Sequence, residues 1–416
     1  MTNNQDSNFL EIKEIKNLKN ILSIKGHSSK FVGGFVRDII QYNKCNKFDI
    51  DIATTIRPED LVDLLKKNNL EPILVGIKYG SISVHINDYK FDITTLRSET
   101  DFKGRNPSVV YTKKWIVDAR RRDFTINAIY LDFDGNIYDP FDGAKDLNEG
   151  NIKFIGDPVT RINEDPLRIF RYFRFVGIYS KSAPDRNSLI ACSKLSELLL
   201  NLSKDRVTKE FFEILMIPDP MYTIDLMIEA GVLQQFFPQA SRPDRLEFLK
   251  NIEISADIEP DIILRLVSLV HVPDQGKKII IDKLNKIFTF TKKQNEKLNL
   301  LFQHFPNFSE NMTVFDINKI LYKLNSHKKF FDILLVSWVK SGPEADFRKV
   351  IEIVANIEIP IFPISRNDII LLNKKTEGIW DTFEELENWW INNGCKENKD
   401  KCLLKLNEII KKKSGS

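Results

Sequence analysis

The chain has 416 residues, 42% hydrophobic and 29% charged, which is typical of a globular protein of two or three domains. Its 61 basic and 58 acidic residues leave a net charge of only +3, which neither requires nor excludes a nucleic-acid partner. The four cysteines lack Cys-x-x-Cys spacing, and neither a long apolar run nor a signal-peptide pattern is present, so we expect a soluble cytoplasmic protein without a zinc site or disulfides.

The first predicted elements lead into a glycine turn. Residues 9–24 have apolar side chains at helical spacing and predict a packing helix. A short apolar strand then runs into Gly33 and Gly34, and a helix carrying Arg37 follows. Backbone amides at such a turn suit phosphate.

Two aspartates follow this turn on a predicted strand. Asp49 and Asp51 alternate with apolar residues, a period of two that predicts a half-buried strand with both acids on one side. Two carboxylates so placed could share divalent metal, and a metal pair can clamp the attacking and leaving oxygens of a transferred phosphate. The alternative is that both are ordinary surface acids. The apolar face of the strand comprises Phe48, Ile50 and Ile52.

The remaining elements predict a change of class along the chain. A helix is predicted from Pro58 to residue 67, two strands flank a turn at residues 87–88, and a second turn lies at residues 134–135. After about residue 146 the patterns become helical, with breaks at the prolines of residues 217–220 and 360–365. We predict a head over residues 1–145, a helical neck over 146–215, and a helical body and tail over 216–416.

Four motifs resemble one enzyme family. GGFVRD (33–38) is followed by DID (49–51), RRDFTINAIY (121–130) and EDPLRIFRYFRF (164–175). Their order and spacing resemble the polymerase-beta-like nucleotidyltransferases, and among them the class II branch of tRNA CCA-adding enzymes and bacterial poly(A) polymerases. The resemblance implies an α+β fold, in which a polymerase-beta-like head with a mixed sheet precedes an all-helical neck, body and tail.

The resemblance also implies a two-metal transfer of nucleotides to an RNA 3′ end. Asp49 and Asp51 are then the metal ligands, and Mg²⁺ is favoured because carboxylate oxygens suit a hard cation. Asp92 in FDIT is the candidate third catalytic carboxylate, although the family more often has a glutamate there. The alternative for Asp92 is a polar residue at a strand edge.

Positions that bind the incoming nucleotide are implied as well. Gly34 would allow close backbone approach, and Arg37 offers phosphate a charged fork. The alternative for Arg37 is a structural ion pair near Asp38 or a strand carboxylate. Asp123 and Asn127, four residues apart, could hold a ribose hydroxyl. The implied nucleotide-binding residues are Gly33, Gly34, Arg37, Arg122, Asp165, Arg168, Arg171 and Arg174.

One of these pairs suggests how a base is chosen without a template. Asp165 and Arg168 are three residues apart, which predicts that they project from one helix face. Their acceptor and donor match the exocyclic amine and ring nitrogen that cytosine and adenine share, whereas uracil and guanine present the reverse pattern. The alternative is an ordinary salt bridge on an exposed helix.

The segment from Arg97 to Trp115 is polar and is predicted to be a long loop. It resembles the flexible loop that CCA-adding enzymes need to change from adding C to adding A, and the alternative is an ordinary surface loop.

The leading hypothesis is a tRNA nucleotidyltransferase that builds CCA from CTP and ATP, with tRNA as its partner and no membrane or obligate protein partner. The alternatives are a bacterial poly(A) polymerase, a CC- or A-adding enzyme, and a non-catalytic RNA-binding protein. The intact acidic pair argues against the last of these.

Overall fold

The protein consists of two compact units, Met1–Pro238 and Gln239–Ser416. The computed structural model describes residues 9–42, 49–74, 76–100, 108–271, 277–304, 308–373 and 379–414. All strands of the described residues belong to the first unit, and the second unit is helical there, which confirms the predicted α+β class. The predicted boundaries at residues 145 and 215 stay predictions. No described helix is both long enough and apolar enough to cross a membrane.

A mixed sheet forms the centre of the head. The described strands are β1 Ser29–Val32, β2 Asp49–Thr54, β3 Ser81–Ile86, β4 Tyr89–Thr95, β5 Arg97–Thr100, β6 Ser108–Tyr111, β7 Tyr130–Leu131 and β8 Ile137–Tyr138. Six of them form one sheet in the order β3-β4-β2-β1-β7-β8, while β5 and β6 pair separately. Strands β2 and β4 are parallel, and the other neighbours are antiparallel.

Helices surround this sheet and continue beyond it. The helices of the first unit are α1 Lys13–Leu22, α2 Gly34–Tyr42, α3 Pro58–Lys67, α4 Trp115–Arg121, α5 Gly143–Glu149, α6 Pro158–Glu164, α7 Arg168–Tyr179, α8 Arg186–Lys194, α9 Lys204–Leu215, α10 Met221–Glu229 and α11 Val232–Phe236. Helices α1 and α3 confirm the predictions made from the apolar spacing of residues 9–24 and from Pro58. Short 3-10 turns occupy Phe9–Glu11, Ile77–Tyr79, Thr125–Asn127 and Ser196–Asn201.

Helix α7 packs against an aromatic core of the first unit. The ring of Phe170 lies 6.1 Å from that of Phe211 on α9 and 4.8 Å from that of Phe236 on α11. These three rings are buried, so the position of α7 is fixed by apolar packing. The polar side of the same helix carries Arg171 and Arg174.

The second unit is built from helices over its described residues. One buried ion pair joins its first two helices, since the guanidinium of Arg265 lies 2.7 Å from Glu253 with both side chains at most 4% exposed. The helices are α12 Pro243–Ser255, α13 Ile262–Leu269, α14 Lys277–Ile287, α15 Lys292–His304, α16 Val314–Leu324, α17 His327–Ser341, α18 Arg348–Asn356, α19 Arg366–Asn373, α20 Ile379–Asn392 and α21 Lys399–Ser414.

Two sequence predictions need correction. The apolar pattern of residues 225–237 predicts one helix, but the chain ends α10 and begins α11 there, because Gly231 between them adopts φ +70°. Part of the segment predicted to be a long loop is strand, because β5 and β6 pair there with Arg97 opposite Tyr111. Residues 101–107, the centre of that predicted loop, lie outside the described residues.

Candidate active site

A glycine turn brings backbone close to the acidic strands. Gly33 follows β1 with φ +75°, a conformation that favours glycine. A Cβ at this position would lie 3.1 Å from Oδ2 of Asp51, so any larger residue would crowd that carboxylate. Gly34 begins α2, whose first-turn N–H groups have no acceptor within the helix. The turn therefore offers backbone donors beside an acid, as the sequence predicts.

Three carboxylates lie side by side on β2 and β4. The parallel register places Asp51 beside Asp92, and Asp49 beside Lys90. Asp92 accepts a hydrogen bond from the Ser83 hydroxyl on β3 and another from the Lys90 ammonium at 2.7 Å. The same ammonium lies 3.9 Å from Asp49. The strand pairing thus brings together the three acids that the sequence singles out.

The charge at this strand pair is only partly balanced. Burial raises the pKa of Asp51, and the nearby Asp92 carboxylate raises it further. The pKa of Lys90 is also raised, chiefly because the ammonium donates to Asp92. Both directions are those expected where several acids share too little positive charge.

These residues fit a hard divalent cation. Their donors are carboxylate oxygens, Gly33 leaves the space beside Asp51 free of a side chain, and an ammonium already lies between two of the acids. In the parts of the chain that the structure describes, no three His, Cys, Asp or Glu side chains are grouped so as to hold a metal ion. Two carboxylates at a time, completed by oxygens of water or substrate, are the arrangement that these residues allow.

A polar cavity of about 400 Å³ opens next to Asp51. It is lined by every residue that the sequence predicts to bind nucleotide. Asp49 and Asp92 are not among its lining residues. The lining residues are Gly33, Gly34, Arg37, Asp51, Arg121, Arg122, Asp123, Asn127, Asp165, Arg168, Arg171, Arg174 and Phe175.

Arg37 is held in this cavity by aromatic and amide groups. Its Nε donates to the Tyr179 hydroxyl at 3.0 Å, and its Nη1 donates to the side-chain oxygen of Asn127. Its guanidinium also lies 5.0 Å from the centre of the Phe175 ring. Contacts of this kind fix the direction of a cation without neutralising it.

Arg122 is positioned by a buried acid that the sequence analysis missed. Asp118 accepts from Arg122 at 3.1 Å and from the Tyr130 hydroxyl at 2.8 Å, and it pairs with Arg121 at 2.7 Å. Burial alone would raise the pKa of Asp118, but the two guanidiniums and the hydroxyl outweigh it and lower the pKa to about 2. Asp118 lies four residues before Arg122 on α4, and this helical spacing was the available signal.

Asp123 connects the head to α7. Its carboxylate accepts from the Asn127 amide at 2.8 Å and from Arg171 at 2.6 Å. Burial opposes ionisation of Asp123, yet the Arg171 guanidinium and the Asn127 amide lower its pKa overall. Asp123 and Asn127 meet across a 3-10 turn and not along an α-helix.

Asp165 and Arg168 line the same cavity, but the prediction that they share a helix face is wrong. Asp165 ends α6 with extended backbone at φ −150°, because the following residue is Pro166, which disfavours helical geometry before it. Its carboxylate pairs with Arg206 of α9 at 2.8 Å. Arg168 begins α7 and donates to Glu164 at 2.7 Å.

A second buried acid holds the arginines of α7. Glu210 of α9 lies 3.5 Å from Arg171 and 3.0 Å from Arg174. Burial lowers the pKa of Arg174, while Glu210 acts in the opposite direction. Sequence reasoning missed Glu210, because nothing local links it to residues 39 positions earlier.

Two family models match parts of this chain. Residues 29–153 match the family described as the poly A polymerase head domain. Residues 183–242 match the family described as the probable RNA and SrmB-binding site of polymerase A.

Two curated relatives cover part of the chain. The mitochondrial CCA tRNA nucleotidyltransferase 1 of Mus musculus is 32% identical over 271 residues, which are 64% of this chain and 61% of the relative. The CCA-adding enzyme of Geobacillus sp. (strain WCH70) is 35% identical over 209 residues, half of each chain. The chain therefore spans about half to three fifths of the length of these relatives.

A solved structure extends the likeness in fold. The CCA-adding enzyme of Bacillus stearothermophilus superposes with a TM-score of 0.67 at 21% identity, covering 97% of this chain and 99% of that one. At this identity the superposition establishes a shared fold.

Proposed function

We propose that this chain belongs to the family of the CCA-adding enzymes and poly(A) polymerases and is a template-independent tRNA nucleotidyltransferase. It adds CCA to the 3′ end of tRNA from CTP and ATP and releases pyrophosphate. The names of the curated relatives support this activity.

The observation that carries the proposal is the cavity beside Asp51. One cavity of about 400 Å³ is lined by Gly33, Gly34, six arginines of the motifs and Asp165. That volume is in the range of small-molecule sites. The arginines favour binding of a polyanion, and Asp51 beside them favours a polyanion that carries a metal ion. A nucleoside triphosphate with its divalent cation is such a ligand.

The chain's own residues have separate tasks in this proposal. The backbone N–H groups at the start of α2 and the guanidiniums of Arg37, Arg122, Arg171 and Arg174 bind the triphosphate. Because buried acids hold Arg122, Arg171 and Arg174 in place, little rearrangement is needed when the phosphates arrive.

We propose that Asp49 and Asp51 hold Mg²⁺, with Asp92 as the third carboxylate. When bound, this cation would increase the acidity of the RNA 3′-hydroxyl and stabilise the charge on the transferred phosphate. The register of β2 and β4 places Asp92 beside Asp51, and Gly33 keeps side chains away from Asp51.

Base selection is assigned to Asp165 and Arg168, which line the cavity. The Asp165 carboxylate would accept from the exocyclic amine of cytosine or adenine, and Arg168 would donate to the adjacent ring nitrogen. Both side chains already pair with protein groups, Asp165 with Arg206 and Arg168 with Glu164, so base binding must compete with these contacts.

We further propose a reducing compartment such as the cytoplasm. The three described cysteines, Cys192, Cys395 and Cys402, are free and buried. Burial raises the pKa of Cys192, which makes its thiol unreactive.

Poly(A) polymerase activity is the second candidate, because both matched family descriptions refer to that enzyme. Incorporation of single nucleotides separates the two. The purified protein is incubated with Mg²⁺ and a tRNA transcript that ends before CCA, with each of the four nucleoside triphosphates alone and with CTP and ATP together.

We expect CTP alone to extend the transcript by two residues, CTP with ATP to complete CCA, and UTP or GTP to add almost nothing. A transcript that accepts many A residues from ATP alone would favour poly(A) polymerase. Lack of any addition in the presence of Mg²⁺ would overturn both activities.

A further inference from the structure

Lys90 occupies an unusual position among the proposed metal ligands. It lies two residues before Asp92 on β4, so both side chains are on the same face of the strand. The parallel register places it directly beside Asp49 of β2, as Asp92 is placed beside Asp51. Three acids and one lysine thus form a two-by-two array.

The Lys90 ammonium contacts carboxylate oxygens that a bound metal ion would coordinate. Its ammonium lies 2.7 Å from Oδ2 of Asp92 and 3.9 Å from Oδ1 of Asp49. The other oxygen of Asp92, Oδ1, accepts from the Ser83 hydroxyl. Both oxygens of Asp92 therefore already accept a hydrogen bond, and a cation that binds Oδ2 must share that oxygen with a positively charged ammonium.

The ammonium is the donor that can leave. The Lys90 side chain is 36% exposed, so a path to solvent exists. A lysine ammonium is a strongly hydrated charge on a flexible stem and can rotate away at small cost. A divalent cation at the same carboxylates would also repel it.

We propose that Lys90 is a resident cation that holds Asp92 and Asp49 together in the metal-free protein and competes with divalent metal for them. Metal binding moves the ammonium from Asp92 toward solvent. Lys90 thereby keeps the affinity of the nucleotide-free protein for divalent metal low. Tight binding of the metal then requires that the nucleotide binds with it. This inference rests on the proposed metal role of the acids.

Direct metal binding tests it without nucleotide, tRNA or turnover. Mn²⁺ is titrated into the full chain, and free Mn²⁺ is followed by electron paramagnetic resonance. Lys90→Met should bind Mn²⁺ about tenfold more tightly than the natural chain, since a nearby positive charge is lost. Lys90→Gln should behave in the same way and serves as a second variant with a polar side chain.

Two controls separate the possible failures. Lys67→Met removes an equal charge from the exposed end of α3 and should leave the Mn²⁺ affinity unchanged. Asp51→Asn should bind Mn²⁺ more weakly than the natural chain does. If Asp51→Asn binds Mn²⁺ normally, the metal assignment fails and the inference with it. If Asp51→Asn weakens binding but both Lys90 variants bind as the natural chain does, or more weakly, only the role of Lys90 is overturned.

Discussion

The acidic strands and the arginine-bearing helices meet at the cavity beside Asp51 but balance their charges differently. On the strands, the Asp49 side chain is 77% exposed and shares a single lysine with Asp92. On the helices, the buried acids Asp118 and Asp123 are each bound by guanidinium groups.

This difference predicts how the two sides divide function from stability. The strand acids are left with negative charge that an incoming cation can neutralise, so in the proposed function they contribute to chemistry and little to the stability of the fold. The helix arginines are cross-linked by acids of the protein, so their orientation for phosphate and the stability of the head depend on the same contacts. Substitutions of the strand acids should therefore change activity but not stability, whereas substitutions of the acids that hold the arginines should change both.

The largest effect is expected on the strand side. Asp51→Asn should lower the rate of nucleotide addition by several orders of magnitude, because a proposed metal ligand is lost. Its free energy of unfolding should stay the same or rise slightly, since the raised pKa of Asp51 means that the fold disfavours the charged form. Single-turnover kinetics and urea unfolding measure the two quantities.

Asp63→Asn on α3 is the matched control, because it removes an exposed acid outside the cavity. Near-normal addition by Asp51→Asn with Mg²⁺ would contradict the metal assignment.

On the helix side, Asp118→Asn should lower both stability and activity. The substitution leaves Arg122 and Arg121 without their buried counter-charge, which typically costs about 3 kcal/mol. Urea unfolding should show this loss, and KM for CTP should rise because Arg122 is no longer held toward the cavity. If stability falls while KM is unchanged, Asp118 has no part in positioning Arg122.

The pH dependence of unfolding gives a sharper test of the same contact. The pKa of Asp118 is about 2 in the folded protein, below its ordinary value of 3.8. Its stabilising contribution is therefore present above about pH 4 and is lost as the pH falls toward 2, with a total of about 2 kcal/mol. Urea unfolding of the natural chain and of Asp118→Asn should differ by less at pH 2 than at pH 6. A difference independent of pH would contradict the ion pair.

The smallest effect concerns base choice. Asp165→Ala should raise incorporation of UTP or GTP relative to CTP and ATP by about tenfold, because a group that discriminates bases by hydrogen bonding is lost. The overall rate with CTP should fall less. Competition assays with mixed nucleotides measure the ratio, and Asp205→Ala on α9 is the control. Full discrimination with reduced affinity alone would remove Asp165 from base reading.

The sequence predicted the strand side of the site well, because its signals are local. The alternation around Asp49 and Asp51 and the glycine turn before them required only neighbouring residues, and the strand β4 brought Asp92 beside them as expected. The contact between Lys90 and Asp49 could not be predicted from the sequence, since it depends on the register between two strands.

The helix side was predicted less completely. Arginines could be singled out, but the acids that hold them depend on packing between distant segments, as for Glu210 and Arg171. The helical placement of Asp165 was wrong although Pro166 gave a usable signal against it. Local pattern therefore identified which residues line the cavity, whereas packing determined how they are held.

The length and sequence of the product test the central claim most directly. A tRNA transcript lacking CCA and an unstructured RNA of equal length are incubated separately with the protein, Mg²⁺, CTP and ATP, and the products are resolved at single-nucleotide resolution and sequenced. We expect a discrete three-nucleotide extension, CCA, on the tRNA and almost no extension of the unstructured RNA. A long ladder of A residues on the unstructured RNA would contradict tRNA nucleotidyltransferase activity and identify a poly(A) polymerase.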